Sequence, residues 1–124
     1  MRKLREGLRY KEYNCYLSVS LYPQSINKNI ALLLMDMEDN SVISKITVNS
    51  EDSFPQTHAC IKNYSENEGM LEFVEDNNIV VVDDSATCIL MCSGQVTSCL
   101  RVADDIYQEY LKVLEMYKKE MSQI

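Results

Sequence analysis

The chain has 124 residues, 46% of them hydrophobic and 25% charged, with a formal net charge of −7 at pH 7. That length supports one domain around one core, and the balance of apolar to charged residues excludes wholesale disorder. With one histidine, no tryptophan, three glycines and five cysteines, the chain is poor in the residues on which nucleotide loops, metal sites and catalytic triads draw.

Charge is unevenly spread. Residues 1–11 carry Arg2, Lys3, Arg5, Arg9 and Lys11 against Glu6. They read as a basic N-terminal arm, solvated and free to move, on a single domain spanning 1–124. No apolar core follows these charges, so no secretory leader is expected. No run approaches the roughly 20 apolar residues of a membrane helix, so a cytoplasmic protein with no membrane contact is expected. Residues 12–111 hold four basic side chains against sixteen acidic ones. Such a body repels phosphate backbones, which argues against direct nucleic-acid binding.

In chain order, residues 13–21 alternate, with Cys15, Leu17, Val19 and Leu21 sharing one face of a half-buried strand. Pro23 breaks the ladder. Residues 30–37 form a nearly continuous apolar run, the mark of a strand covered on both faces, and 38–41 turn it into a hairpin with 42–48. A polar loop over 49–57 precedes a short strand at 59–62. Ser65 and Glu68 then have the spacing of a reciprocal capping box and open a helix over 65–76. On it Met70, Leu71, Phe73 and Val74 fall on one arc, and Glu68, Glu72, Glu75 and Asp76 on the opposite one. Strands follow at 79–82, 87–92 and 96–102, separated by Asp83-Asp84-Ser85 and Ser93-Gly94-Gln95. The last element is a helix over 104–121, with Asp104 and Asp105 at its start, lysines toward its end and a stripe through Tyr107, Tyr110, Leu114 and Tyr117. This order predicts an α+β fold: a mainly antiparallel sheet of five to six strands, with a short helix (65–76) and a long C-terminal helix (104–121) packed on one face.

The chemistry is sparse. An odd number of cysteines argues against a secreted disulfide scaffold and for thiols acting as small hydrophobes. Cys88 and Cys92 on one strand would lie some 13 Å apart, too far to share a bond or an ion. His58 and Cys60, two apart on a strand, would be about 6.6 Å apart, beyond hydrogen-bond reach, and His58 is expected to be solvated. Acidic pairs such as Asp36/Glu38, Glu51/Asp52, Asp83/Asp84 and Asp104/Asp105 suit turns and a helix start. No calcium loop, P-loop or dinucleotide fingerprint is present. No catalytic residue, metal ligand or cofactor-binding residue is therefore assigned, and the chain does not read as an enzyme. Two surfaces remain as partner-binding candidates. The acidic arc of Glu68, Glu72, Glu75 and Asp76 could meet a basic groove, and the outer edge of the Tyr107, Tyr110, Tyr117 stripe could add aromatic contacts.

The segments KITVNS (45–50) and IKNYSENEGMLEFVEDNNIV (61–80) resemble a family of small uncharacterised proteins carried on phages, plasmids and integrative elements of Firmicutes and Bacteroidetes. The matching positions are Thr47, Val48, Asn49, Lys62, Asn63, Tyr64, Glu66, Asn67, Glu68 and Gly69, and the resemblance covers residues 13–82. It implies a setting rather than an activity: accessory cargo of a mobile element, where small acidic inhibitors of host defence are common. The reading that results is a non-catalytic acidic protein in the bacterial host cytoplasm. As a monomer or homodimer it would inhibit a defence complex, of anti-CRISPR or anti-restriction type, or a regulatory complex. It would do so by stoichiometric contact with a host protein bearing a basic groove, such as a nucleic-acid-binding protein. The alternatives are a small-molecule-binding or enzymatic domain with a pocket between sheet and helix, using His58, Tyr64 or Cys60, and a self-assembling structural protein.

Overall fold

The computed structural model describes residues 3–50, 54–81, 88–92 and 95–123, the last-but-one segment by its backbone alone. It is an α+β fold. Strands β1 (Leu4–Tyr10), β2 (Tyr13–Leu21), β3 (Ile30–Asp36) and β4 (Val42–Lys45) form an antiparallel meander. Strands β5 (His58–Cys60), β6 (Cys88–Cys92) and β7 (Gln95–Arg101) form a second antiparallel sheet in the order β5-β7-β6. The stretch after β4 joins the two. Val48 N–H donates to the Cys60 carbonyl at 3.0 Å and Lys62 N–H to the Ile46 carbonyl at 2.8 Å, around a bridge between Thr47 and Ile61. Among the described residues the strands fall in these two antiparallel sheets, in keeping with the α+β class expected. The predicted strand over 79–82 is reduced, among the described residues, to a bridge between Val80 and Val102. The acidic turn at 83–85 and the turn at Ser93 and Gly94 lie outside the described residues.

The core follows from register. In an antiparallel pair, directly opposed residues share a face. The pairings Leu17↔Leu34, Val19↔Leu32 and Leu21↔Ile30 line one side of the first sheet with aliphatic side chains. Met70 and Val74 of helix α1 (Met70–Asp76) and Ile106, Tyr110 and Leu114 of helix α2 (Asp104–Ser122) are buried in the same cluster. Each large side chain so buried contributes roughly 1.5–3 kcal/mol. On the second sheet Phe54 packs on Cys60 and Cys99 as a smaller cluster. Ala31, Ser18 and Met35 are also buried, so the centre of the first sheet is covered on both sides, as the apolar run of β3 predicts.

Two expectations are corrected. The N-terminal arm is no free tail: residues 4–10 are β1, hydrogen-bonded along β2, with Leu4 and Tyr10 buried. Its strand character is masked in the sequence because the ladder shifts between Leu4 and Leu8, where Arg5 (φ 50°) and Gly7 (φ 86°) take left-handed backbone. A bulge of this kind breaks the two-residue alternation by which a strand is read. The helix expected over 65–76 is also split. Ser65–Asn67 is a 3-10 turn, and α1 begins only at Met70. Ser65 does not cap. It sits at φ 55°, and Gly69 at φ 90° occupies the N-cap position, where a side chain would be strained.

Arg5 holds these pieces together. Its Nη1 donates to the Asn77 carbonyl at 2.8 Å and its Nη2 to the Asn78 carbonyl at 3.0 Å, just past the end of α1. Its Nε and Nη2 also grip both oxygens of Asp105, at 2.8 and 2.9 Å, in the first turn of α2. One guanidinium from the edge strand therefore ties both helices to the sheet, which a planar five-donor fork can do and an ammonium cannot. Arg5→Ala is expected to destabilise the fold by about 2 kcal/mol, since two carbonyls and a carboxylate lose their donor. Arg9→Ala, at an exposed position of the same strand, is expected to stay within about 0.5 kcal/mol. Chemical denaturation of both variants checks the difference.

Candidate functional site

The acidic arc rests on a seat built from side-chain amides, of which Asn67 is buried. Asn67, 1% exposed, accepts a hydrogen bond from Ser44 Oγ at 2.6 Å and donates Nδ2 to the Lys45 carbonyl. It thereby pins the 3-10 turn to β4. Asn63 Oδ1 takes the Leu71 N–H at 2.8 Å, one of the donors the start of α1 would otherwise leave unmet. At the far end Asn77 Nδ2 donates to the Phe73 carbonyl at 2.9 Å. Met70 and Val74, both fully buried, drive the other side of the helix into the core. With that face buried, the remaining face turns outward: Glu68, Glu72 and Asp76 are exposed and Glu75 is half-buried.

Glu75 also lines a cleft of about 400 Å³ with Asn78, Val80, Val81, Arg101, Ala103 and Asp104. The cleft lies where the end of α1 meets the start of α2, so tertiary structure brings Asp104 to the acidic arc across nearly thirty residues of chain. Neighbouring Asp105 is not available in the same way. The hydrogen bond from Arg5, with its charge, holds the Asp105 carboxyl below the usual aspartate range despite partial burial. Glu66 is likewise held low by Lys62.

The tyrosine stripe divides. Tyr110 is wholly buried and donates its hydroxyl to the Lys28 carbonyl at 2.6 Å. Burial, and then the neighbouring Tyr107, push its ionisation up to about 12. Tyr110 is therefore a core residue and not a partner contact, a correction that follows from its central place on the apolar side of α2. Tyr107 stacks on it with ring centroids 6.0 Å apart and is half-buried. Tyr117, also half-buried, lines a groove of about 450 Å³ between β2 and α2 with Val19, Ser20, Leu21, Pro23, Glu109, Val113, Met116 and Glu120.

The expectation of a solvated His58 is overturned. It is 8% exposed, inside β5, with Nδ1 2.8 Å from Thr57 Oγ1. A turn leads into it: its own N–H donates to the Pro55 carbonyl at 3.0 Å. Cys15, Cys60 and Cys99 are buried thiols, and burial, assisted by Asp36, pushes the Cys15 thiol up and away from thiolate reactivity. Among the described residues no group of three or more histidine, cysteine or acidic side chains could hold a metal ion, and no helix is long and apolar enough to cross a membrane. Sequence reasoning missed Arg5 and Asn67. Neither has a local signal, since both act on partners more than twenty residues away.

No family model, curated protein or solved structure matches the chain.

The Arg5–Asp105 pair has a defined pH signature. An aspartate depressed in the folded state contributes stability above its ordinary value of about 3.9, and this is lost as pH falls toward the folded value. Half of the Asp105 side chain is exposed, so solvent screening limits the contribution to roughly 0.5–1 kcal/mol. Asp105→Asn is expected to be less stable than the parent by that amount at pH 7. The gap should close as the pH is taken below the aspartate range, which urea melts along a pH series would read.

Proposed function

We propose that this protein is a non-catalytic binding module whose acidic face, Glu68, Glu72, Glu75 and Asp76 with Asp104 beside them, docks into a basic groove on a partner protein. The observation that carries this reading is a lack of compensation. None of these five carboxylates makes a hydrogen bond or ion pair with another described residue. By contrast Asp105, Glu66 and Glu115 are matched by Arg5, Lys62 and Lys119.

Their placement sharpens the point. Glu75 and Asp76 lie in the last turn of α1, which holds no basic residue. Carboxylates there face the negative end of the helix dipole, at a cost of about 0.3–1 kcal/mol each. Arg5, which reaches this end, is committed to the Asn77 and Asn78 carbonyls and to Asp105, while Arg101 lines the cleft beside Glu75. A cationic partner would relieve that unfavourable field and gain specificity and association rate from it. A groove evolved for nucleic acid has the required charge. With the resemblance of residues 13–82 to mobile-element proteins, inhibition of a host defence or regulatory complex by stoichiometric contact is the biological form we propose.

A second reading is favoured by the groove between β2 and α2. Its size suits a small ligand, for which pockets run about 300–1,000 Å³. A ligand there would raise Tm in a thermal-shift screen and leave the acidic face untouched.

The triple variant Glu68→Lys, Glu72→Lys, Glu75→Lys separates function from folding. It is expected to retain its fold, with the Glu75→Lys change favourable to α1. Partner capture from bacterial lysate should be lost, and capture by the unaltered protein should weaken steeply as salt rises. Undiminished capture by the folded triple variant would remove the acidic face from the mechanism.

A further inference from the structure

We infer that Cys60 and Cys99 are a modification site, closed into a cross-strand disulfide by a small-molecule disulfide such as oxidised glutathione. The two are directly opposed on β5 and β7. Their place in the ladder decides the geometry. Ile61 N–H donates to the Ser98 carbonyl and Val102 N–H to the Thr57 carbonyl, so Ile61/Ser98 and Thr57/Val102 are hydrogen-bonded pairs. Such pairs alternate along an antiparallel ladder. Ala59/Leu100 is then hydrogen-bonded, and Cys60/Cys99 is a non-hydrogen-bonded pair, the type in which side chains approach most closely, with Cα atoms about 4.5 Å apart. A disulfide needs Cα atoms roughly 4.4–6.8 Å apart. The backbone therefore already stands at bonding separation, and only side-chain rotation is required.

The third cysteine in this row sharpens the assignment. Cys88 of β6 is opposed to Cys99 from the other side. At any residue of a central strand, close hydrogen bonding to one neighbour means its polar groups point away from the other. Cys99 turns these groups toward β6, so Cys88/Cys99 is the wider pair and Cys60 the favoured partner. The reaction balances without further reagents. One thiolate attacks the small disulfide, forming a mixed disulfide and expelling one thiolate. The second cysteine then displaces the other, so that both thiol protons end on the two small thiols released.

Access is controlled by Phe54. Cys60 and Cys99 are 1% and 0% exposed and share a buried cluster with Phe54, against which Val48 packs. Phe54 is held in turn through its carbonyl, which accepts from Asn27 Nδ2 at 2.9 Å and Asn29 Nδ2 at 3.2 Å. Oxidation thus waits on local opening of this cover. Once formed, the bond ties β5, the strand whose end joins the second sheet to the first, to its neighbour β7.

The test treats the full chain with oxidised glutathione at mildly alkaline pH, quenches with alkylating agent and maps peptides by mass spectrometry. The expected product has lost two hydrogens, links the Cys60 and Cys99 peptides, melts at higher temperature, and reverts with a dithiol. Cys15→Ala should behave identically, and Phe54→Ala should close roughly tenfold faster by removing the cover. A Cys88–Cys99 link, glutathione stably attached without an internal link, or no link even in Phe54→Ala would each overturn the assignment.

Discussion

The Arg5 guanidinium is the contact on which the arrangement of the other elements depends. Strands β2 and β3 supply a hydrophobic platform, and the end of α1 and the start of α2 meet beside it, where the Asn77 and Asn78 carbonyls and the Asp105 carboxylate need donors. Arg5 answers both at once, donating to the Asp105 carboxylate and to the carbonyls that follow α1. To reach them it leaves the regular strand conformation, and the adjacent shift in register between Leu4 and Leu8 is the local form of that departure. A strained backbone position is thus offset by bidentate, charge-assisted hydrogen bonds, stronger than neutral ones.

A consequence of that clamp is the electrostatic character of the nearby surface. Because Arg5 is engaged with Asp105 and the Asn77 and Asn78 carbonyls, the cleft carries Glu75 on its α1 side and Asp104 on its α2 side, with Arg101 between them in the lining. The buried Asn67 and the exposed Asn63 fix the approach to α1, so most of the carboxylates are presented on a seated helix and not on a loop. A fixed row of charge on a supported element is the arrangement expected of a surface used for recognition, since little ordering entropy remains to be lost when it binds.

Legibility in the sequence tracked the range of the forces involved. Strand β2 was predicted with its observed bounds, Tyr13–Leu21, because alternation is a local record of one buried face. Helix α2 was equally plain from its apolar stripe and terminal charges. The capping box at Ser65 and Glu68 misled, since the same residue types serve a 3-10 turn when Gly69 permits a left-handed step and Asn67 is drawn into β4. Tyr110 and Tyr117 looked alike on the helical wheel, yet one is sealed over the sheet and the other lines an open groove.

The sequence by itself determined the class of fold, the acidic character of α1 and the inward face of β2, because periodicity is a property of neighbouring residues. Only the tertiary structure decided that the basic arm is an edge strand, that Asp104 joins the acidic arc while Asp105 is withdrawn from it, and that Cys60 stands opposite Cys99. Each of these rests on register or on a hydrogen bond across distant parts of the chain, and such pairings arise from packing that no local window of sequence encodes.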